Sequence, residues 1–147
     1  LERDVLSLRP RLVIVELGGN DLLNRVPREE TASNLDRIVG RCVASGCMVV
    51  LVHAKFGIWS DPFAEAFEEV AERHGAVVVW KSLSGILGNT RMMHDQIHPN
   101  ADGYRLLAER VAAVVEPLLA EADKQREENA PEAVSIQGKV HNKGDLG

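Results

Sequence analysis

Two groups of residues in this 147-residue chain have the types and the spacing for acid–base chemistry. Asp95 and His98 lie three apart in the polar run His94-Asp95-Gln96-Ile97-His98-Pro99-Asn100. On a tight turn, that separation lets the carboxylate accept a hydrogen bond from the imidazole Nδ1–H. The tautomer is then fixed and Nε2 is left as a base. Such a pair is the orienter and base of a nucleophilic triad. The spacing alone also fits Asp95 capping a turn beside a surface His98. The second group is Gly18-Gly19-Asn20-Asp21. A carboxamide N–H at the end of a strand can donate to a developing oxyanion, and neighbouring glycines let backbone come close to a ligand. The same four residues also have the composition of a plain turn.

Three short apolar runs must position these groups. Leu12 to Leu17, Met48 to His53 and Ala76 to Trp80 are nearly continuous and rich in β-branched residues. That pattern predicts strands buried on both faces. Between them lie helical stripes. From Pro27 to Ser45, Leu35, Ile38, Val39, Cys42 and Val43 fall on one face. Asp61 reads as an N-cap, with Pro62 at the first helical position and Gly75 as the stop of a second helix. A last helix is predicted from Asp102 to Ala122, with Pro117 kinking it near its end. Asn100 and Asp102 are its candidate caps. Alternating strands and helices imply an α/β fold with a parallel sheet covered by helices. Ligands bind such sheets beyond the carboxyl ends of the strands, where the polar groups fall.

Composition narrows the partners. The net charge is −5, which argues against nucleic acid as a partner. No apolar run approaches the ~20 residues of a membrane span, so no stable membrane insertion is expected. Cys42 and Cys47 read as small buried residues rather than a bridge. The chain opens on Leu1 rather than Met. An upstream piece is therefore expected to have been removed, and the compartment, cytoplasmic or secreted, stays open.

Gly18-x-Asn20-Asp21 after a buried strand, and Asp95-x-x-His98-Pro99 before the final helix, resemble the third and fifth sequence blocks of the SGNH hydrolases, the GDSL lipase/esterase family. The resemblance covers roughly residues 1–120. It is closest to small arylesterase, acyl-thioesterase and lysophospholipase members. It implies a three-layer α/β/α sandwich of flavodoxin type, and hydrolysis of a small carboxylic ester or thioester with no metal or cofactor. It implies His98 as general base, Asp95 as its partner and Asn20 as an oxyanion donor, with Gly18 and Gly19 shaping the loop. Asp21 matches the block but is assigned a structural role. His53, Phe56 and Trp59 fall where the family has substrate-facing segments, and could line an acyl pocket or pack a long loop.

One block is missing. The family's Gly-Asp-Ser-Leu near the N-terminus supplies the nucleophile, and none of the serines here has a Gly-Asp context. The isolated chain is therefore expected to be weakly active or inactive. An alternative reading is a catalytically inactive fragment or a ligand- or partner-binding module derived from such a hydrolase. A zinc site built on His94 and His98 is a lesser rival, because Ile97-His98-Pro99 disfavours the helix it needs. The family strand order also predicts that 12–17 becomes an exposed edge. A homodimer through that strand, or residues 133–140 folding back as an added strand, would cover it. In that eight-residue stretch Val134 and Ile136 alternate with Ser135 and Gln137. The domain is placed at 1–122, with 123–147 as a polar extension that begins frayed.

Overall fold

The three apolar runs form a parallel sheet in the order β1-β2-β3, with β1 at Leu12–Val15, β2 at Met48–Val52 and β3 at Val77–Val79. The computed structural model describes residues 1–55, 61 and 63–129. The register pairs Leu12 with Met48 and Val52 with Val79. Only the central strand meets the expectation of burial on both faces: Val49 to Val52 are buried. Among the described residues, β1 and β3 each have a single strand neighbour. Ile14 is accordingly 47% exposed and Val77 36%.

Among the described residues, four α-helices connect and cover the strands: α1 (Gly19–Leu23), α2 (Arg28–Ala44), α3 (Ala64–His74) and α4 (Ala101–Glu128). Strand alternation sorts the core into two halves. Val15, Val49 and Leu51 pack with Leu35, Val39 and Cys42 of α2 and with Phe67 and Val70 of α3. Val52 faces the other way, with Leu83, Ile86 and Leu107 of α4. Helices therefore lie on both faces, and the chain is a three-layer α/β/α sandwich. Both cysteines are free and buried.

Where helices begin and end departs from expectation in three places. Asp61 does not cap α3: Phe63 precedes its first residue without any side-chain cap, and Asp61 turns instead to His53. Pro62 lies outside the described residues. The 19–23 stretch is not a plain turn but a helix of five residues, entered through Gly18 at φ +103°. The last helix does not fray at Ala122 but runs to Glu128, closed at Asn129. Its extension is held by Arg11, whose guanidinium is 2.6 Å from Asp123, and by an i,i+4 pair of Lys124 with Glu128. Residues 133–140, the proposed added strand, lie outside the described residues.

α2 and α3 are also pinned side by side. Asp36 Oδ1 meets His74 Nε2 at 2.9 Å and Arg73 at 2.6 Å. The two donors, His74 first, hold the Asp36 carboxyl below the usual carboxylate range. Gly40 leaves the room for this: a Cβ there would come within 2.9 Å of the His74 ring.

Candidate active site

The long connection after β3 is built of turns and closes on itself before α4. Met93 and Pro99 form an antiparallel bridge, and His94 N–H donates to the His98 carbonyl at 2.8 Å. Asn100 then ties this loop to α4. Its side-chain oxygen accepts from the Asp102 and Gly103 amides, which makes it the N-cap. Its Nδ2 donates to the Arg91 carbonyl at 2.8 Å. Of the two candidate caps, Asn100 serves; Asp102 pairs with Arg105 instead.

Inside this frame Asp95 accepts three hydrogen bonds. Oδ1 takes the amides of Ile97 at 2.8 Å and His98 at 2.7 Å, and Oδ2 meets His98 Nδ1 at 2.8 Å. The backbone donor of His98, then its ring, then the Ile97 amide push the Asp95 carboxyl far below the usual range. Both roles suggested by the spacing are therefore filled at once. Asp95 caps the turn and also steers the imidazole. The His98 side chain is 65% exposed, and its Nε2 has no hydrogen-bond partner among the described residues.

The turn after β1 is positioned differently. Gly18 adopts its left-handed backbone directly over Phe67, where even a Cβ would sit 3.9 Å from the ring edge. Asn20 follows in the first turn of α1 and is exposed. Asp21 accepts from the Thr31 hydroxyl at 3.0 Å, which ties α1 to α2. An open cavity of about 660 Å³ lies against this turn, walled by Leu17, Gly18, Gly19, Asn20, Leu35 and Ala54 among others. Ile97, the residue before His98, is also in its wall. The loops carrying Asn20 and His98 thus border one hollow beyond the carboxyl ends of the strands.

His53 is not part of that wall, although Val52 and Ala54 on either side of it are. Side-chain alternation at the end of β2 turns it away from Val52, toward the face that carries Phe67. It is 1% exposed, with its ring centroid 5.0 Å from those of Phe67 and Trp80. Its Nε2 is 3.2 Å from Asp61. His53, expected among the substrate-lining residues, is a buried residue that ties the end of β2 to the start of the α3 region. Phe56 and Trp59 lie outside the described residues. The Asp61 partner was not visible in the sequence, since no periodic pattern links positions eight apart across a loop. Among the described residues, no three His, Cys, Asp or Glu side chains come together in a way that could hold a metal ion. No helix there is long and apolar enough to cross a membrane.

A parallel sheet between helical layers, with its polar turns gathered beyond the strand ends, places the chain among the α/β/α sandwiches. Its family is also clear. A sequence model of the GDSL-like lipase/acylhydrolase family matches residues 1–106, and the chain belongs to that family. It is 31% identical to esterase TesA of Pseudomonas aeruginosa over 117 residues, which cover 76% of this chain and 58% of the relative. It is 30% identical to an arylesterase of Vibrio mimicus, over 70% of this chain and 54% of the relative. The chain thus spans little more than half the length of these curated relatives. Among solved structures, a crystal structure of TesA superimposes with a TM-score of 0.69 at 31% identity, covering 76% of this chain and 66% of that one. The psychrotrophic esterase EstA from a Pseudoalteromonas species gives 0.73 at 24% identity, covering 82% of this chain and 69% of that one. That second likeness speaks for the fold alone.

Proposed function

We propose that this chain carries the base and oxyanion side of a serine-type hydrolase of carboxylic esters or thioesters. His98 Nε2 would take the proton of an attacking hydroxyl, Asp95 would hold the ring in the tautomer that permits this, and the Asn20 amide would donate to the oxyanion. The observation that carries the reading is the 2.8 Å contact of Asp95 with His98 Nδ1, with no hydrogen bond to the opposite ring nitrogen among the described residues. The names of the relatives, an arylesterase and an esterase, support the substrate class. The reading assigns no nucleophile to this chain. Every serine lacks the Gly-Asp context, and Ser82, the one fully buried serine among the described residues, has its hydroxyl sealed away from solvent. The chain by itself is therefore expected to turn over esters little or not at all. The same observation favours the second reading, a binding module derived from such a hydrolase.

Two measurements test this. Hydrolysis of p-nitrophenyl butyrate by the purified chain is expected at the buffer rate. Activity that survives repurification and vanishes in His98→Ala would show a nucleophile within the chain and overturn the incomplete-site reading. Nitrogen NMR of the imidazole is expected to show the Nδ1–H tautomer, redistributed toward Nε2–H in Asp95→Asn. An Nε2–H tautomer in the unsubstituted chain would remove His98 as the base.

A further inference from the structure

We propose that Cys42 and Cys47 form a paired dithiol site, which a small disulfide oxidises reversibly to a bridge within the chain. Both thiols are free in the structure. Neither enters the catalytic reading of His98, and the inference does not depend on it.

The end of α2 brings the two residues together. Gly46 takes the left-handed backbone, φ +85°, that lets the chain reverse there. The Cys47 amide then donates back to the Cys42 carbonyl at 3.1 Å, and the Gly46 amide to the Val43 carbonyl at 2.9 Å. These nested bonds are a Schellman closure. In it, the third residue from the helix end faces the residue after the glycine, and the two side chains meet. Here both positions are cysteine. Opposed residues that share main-chain bonds lie about 5.5 Å apart at Cα. A disulfide spans about 4.4–6.8 Å.

The side chains converge as well. Cys42 is 0% exposed and Cys47 5%, and both belong to one cluster of the core with Val39 and Val49. A pair of aliphatic side chains would serve as packing at these positions. Two thiols serve as packing and can also give up electrons. Burial, and after it the neighbouring Cys47, pushes the Cys42 thiol above its ordinary pKa. Cys42 is thus held protonated and slow to react until the helix end opens.

The chemistry is two successive thiol–disulfide exchanges. Cys47, the less buried, loses its proton and attacks one sulfur of the oxidant. The oxidant's S–S bond breaks and one small thiolate leaves. Cys42 then loses its proton and attacks the Cys47 sulfur of the mixed disulfide, which expels the second small thiolate. The two protein thiols lose two electrons, the oxidant gains them, and both protons end on the released thiols. Because Cys42 and Cys47 already face each other, the second exchange is intramolecular. The product fastens the last turn of α2 to the residue that precedes β2.

Glutathione redox buffers test this on the full chain, read by mass spectrometry after acid quenching. The exchange constant for bridging is expected to be tenfold or more higher in the folded chain than in concentrated urea, because the closure holds the thiols together. The bridge should lower the mass by two hydrogens, form independently of protein concentration and reverse with dithiothreitol. Cys47→Ser should form none. Chain bridged in urea and then refolded should unfold at higher urea than the reduced chain. A lower midpoint would mean that the fold strains the bridge, and would overturn the proposal. So would a folded-state constant at or below that in urea, glutathione adducts as the end state, or bridges between chains.

Discussion

The two turns that border the hollow are held by different means. The 91–100 turn is a network of directional bonds. Asp95 takes two amides and a ring nitrogen, Asn100 takes two amides and gives to a carbonyl, and a strand bridge closes the base. The 16–21 turn rests on backbone permissiveness and packing: Gly18 in a left-handed conformation above Phe67, and one hydroxyl bond from Thr31 to Asp21. Polar networks specify a geometry sharply, because each unmade bond is costly. Packing tolerates small displacements more readily. The proposed base is thus held more tightly than the proposed oxyanion donor.

This contrast can be broken at several points. The largest effect is expected from Gly103→Ala at the start of α4. The new methyl would run into the Met92 carbonyl and come 2.8 Å from Pro99, and backbone cannot yield there without moving the His98 turn. A loss of ~3 kcal/mol in urea unfolding is expected, with displaced Ile97 and His98 amide resonances. Gly18→Ala has space for its methyl, so only backbone strain should be felt, about 1–2 kcal/mol. Its shifts should stay near Asn20 and leave His98 unchanged. Asn100→Ala removes the cap of α4 and should cost ~1 kcal/mol, with faster exchange at the Asp102 and Gly103 amides.

The smallest effect is a pH dependence. The Asp95 pKa is lowered in the folded chain. What its bonds contribute is therefore fully present above the ordinary carboxylate value, about 3.9, and is lost as pH falls through the lower folded value. The Ile97 and His98 amide resonances should show no carboxylate titration between pH 8 and 5 and begin to move only below about pH 4. Asn20 should show no matching transition. An Asp95 titration near its ordinary value would erase the distinction between the two turns.

Much of the fold was legible because apolar period is a local property. The three strands and the stripes of α2, α3 and α4 follow from runs such as Met-Val-Val-Leu-Val and from Leu35, Val39 and Cys42 recurring at helical spacing. Asp95 and His98 were legible for the same reason, since three residues on one turn can find each other without the rest of the chain. Asp61 was misread as a cap because Asp before Pro is a strong local signal. A buried imidazole eight residues away outweighed it. The end of α4 was misread because Asp123 to Glu128 carry no apolar stripe; a tertiary ion pair to Arg11 supports them instead.

The order of residues alone determined that alternating apolar segments would bury themselves as a parallel α/β sandwich, and that Asp95 could steer His98. Both depend on neighbours close in sequence, for which side-chain period and turn geometry suffice. Only the tertiary structure decided that His53 is buried beside Asp61 and that the loops bearing Asn20 and Ile97 share one cavity. Those outcomes depend on which distant segments pack together, and burial energy is settled by the assembled core rather than by any one stretch of chain.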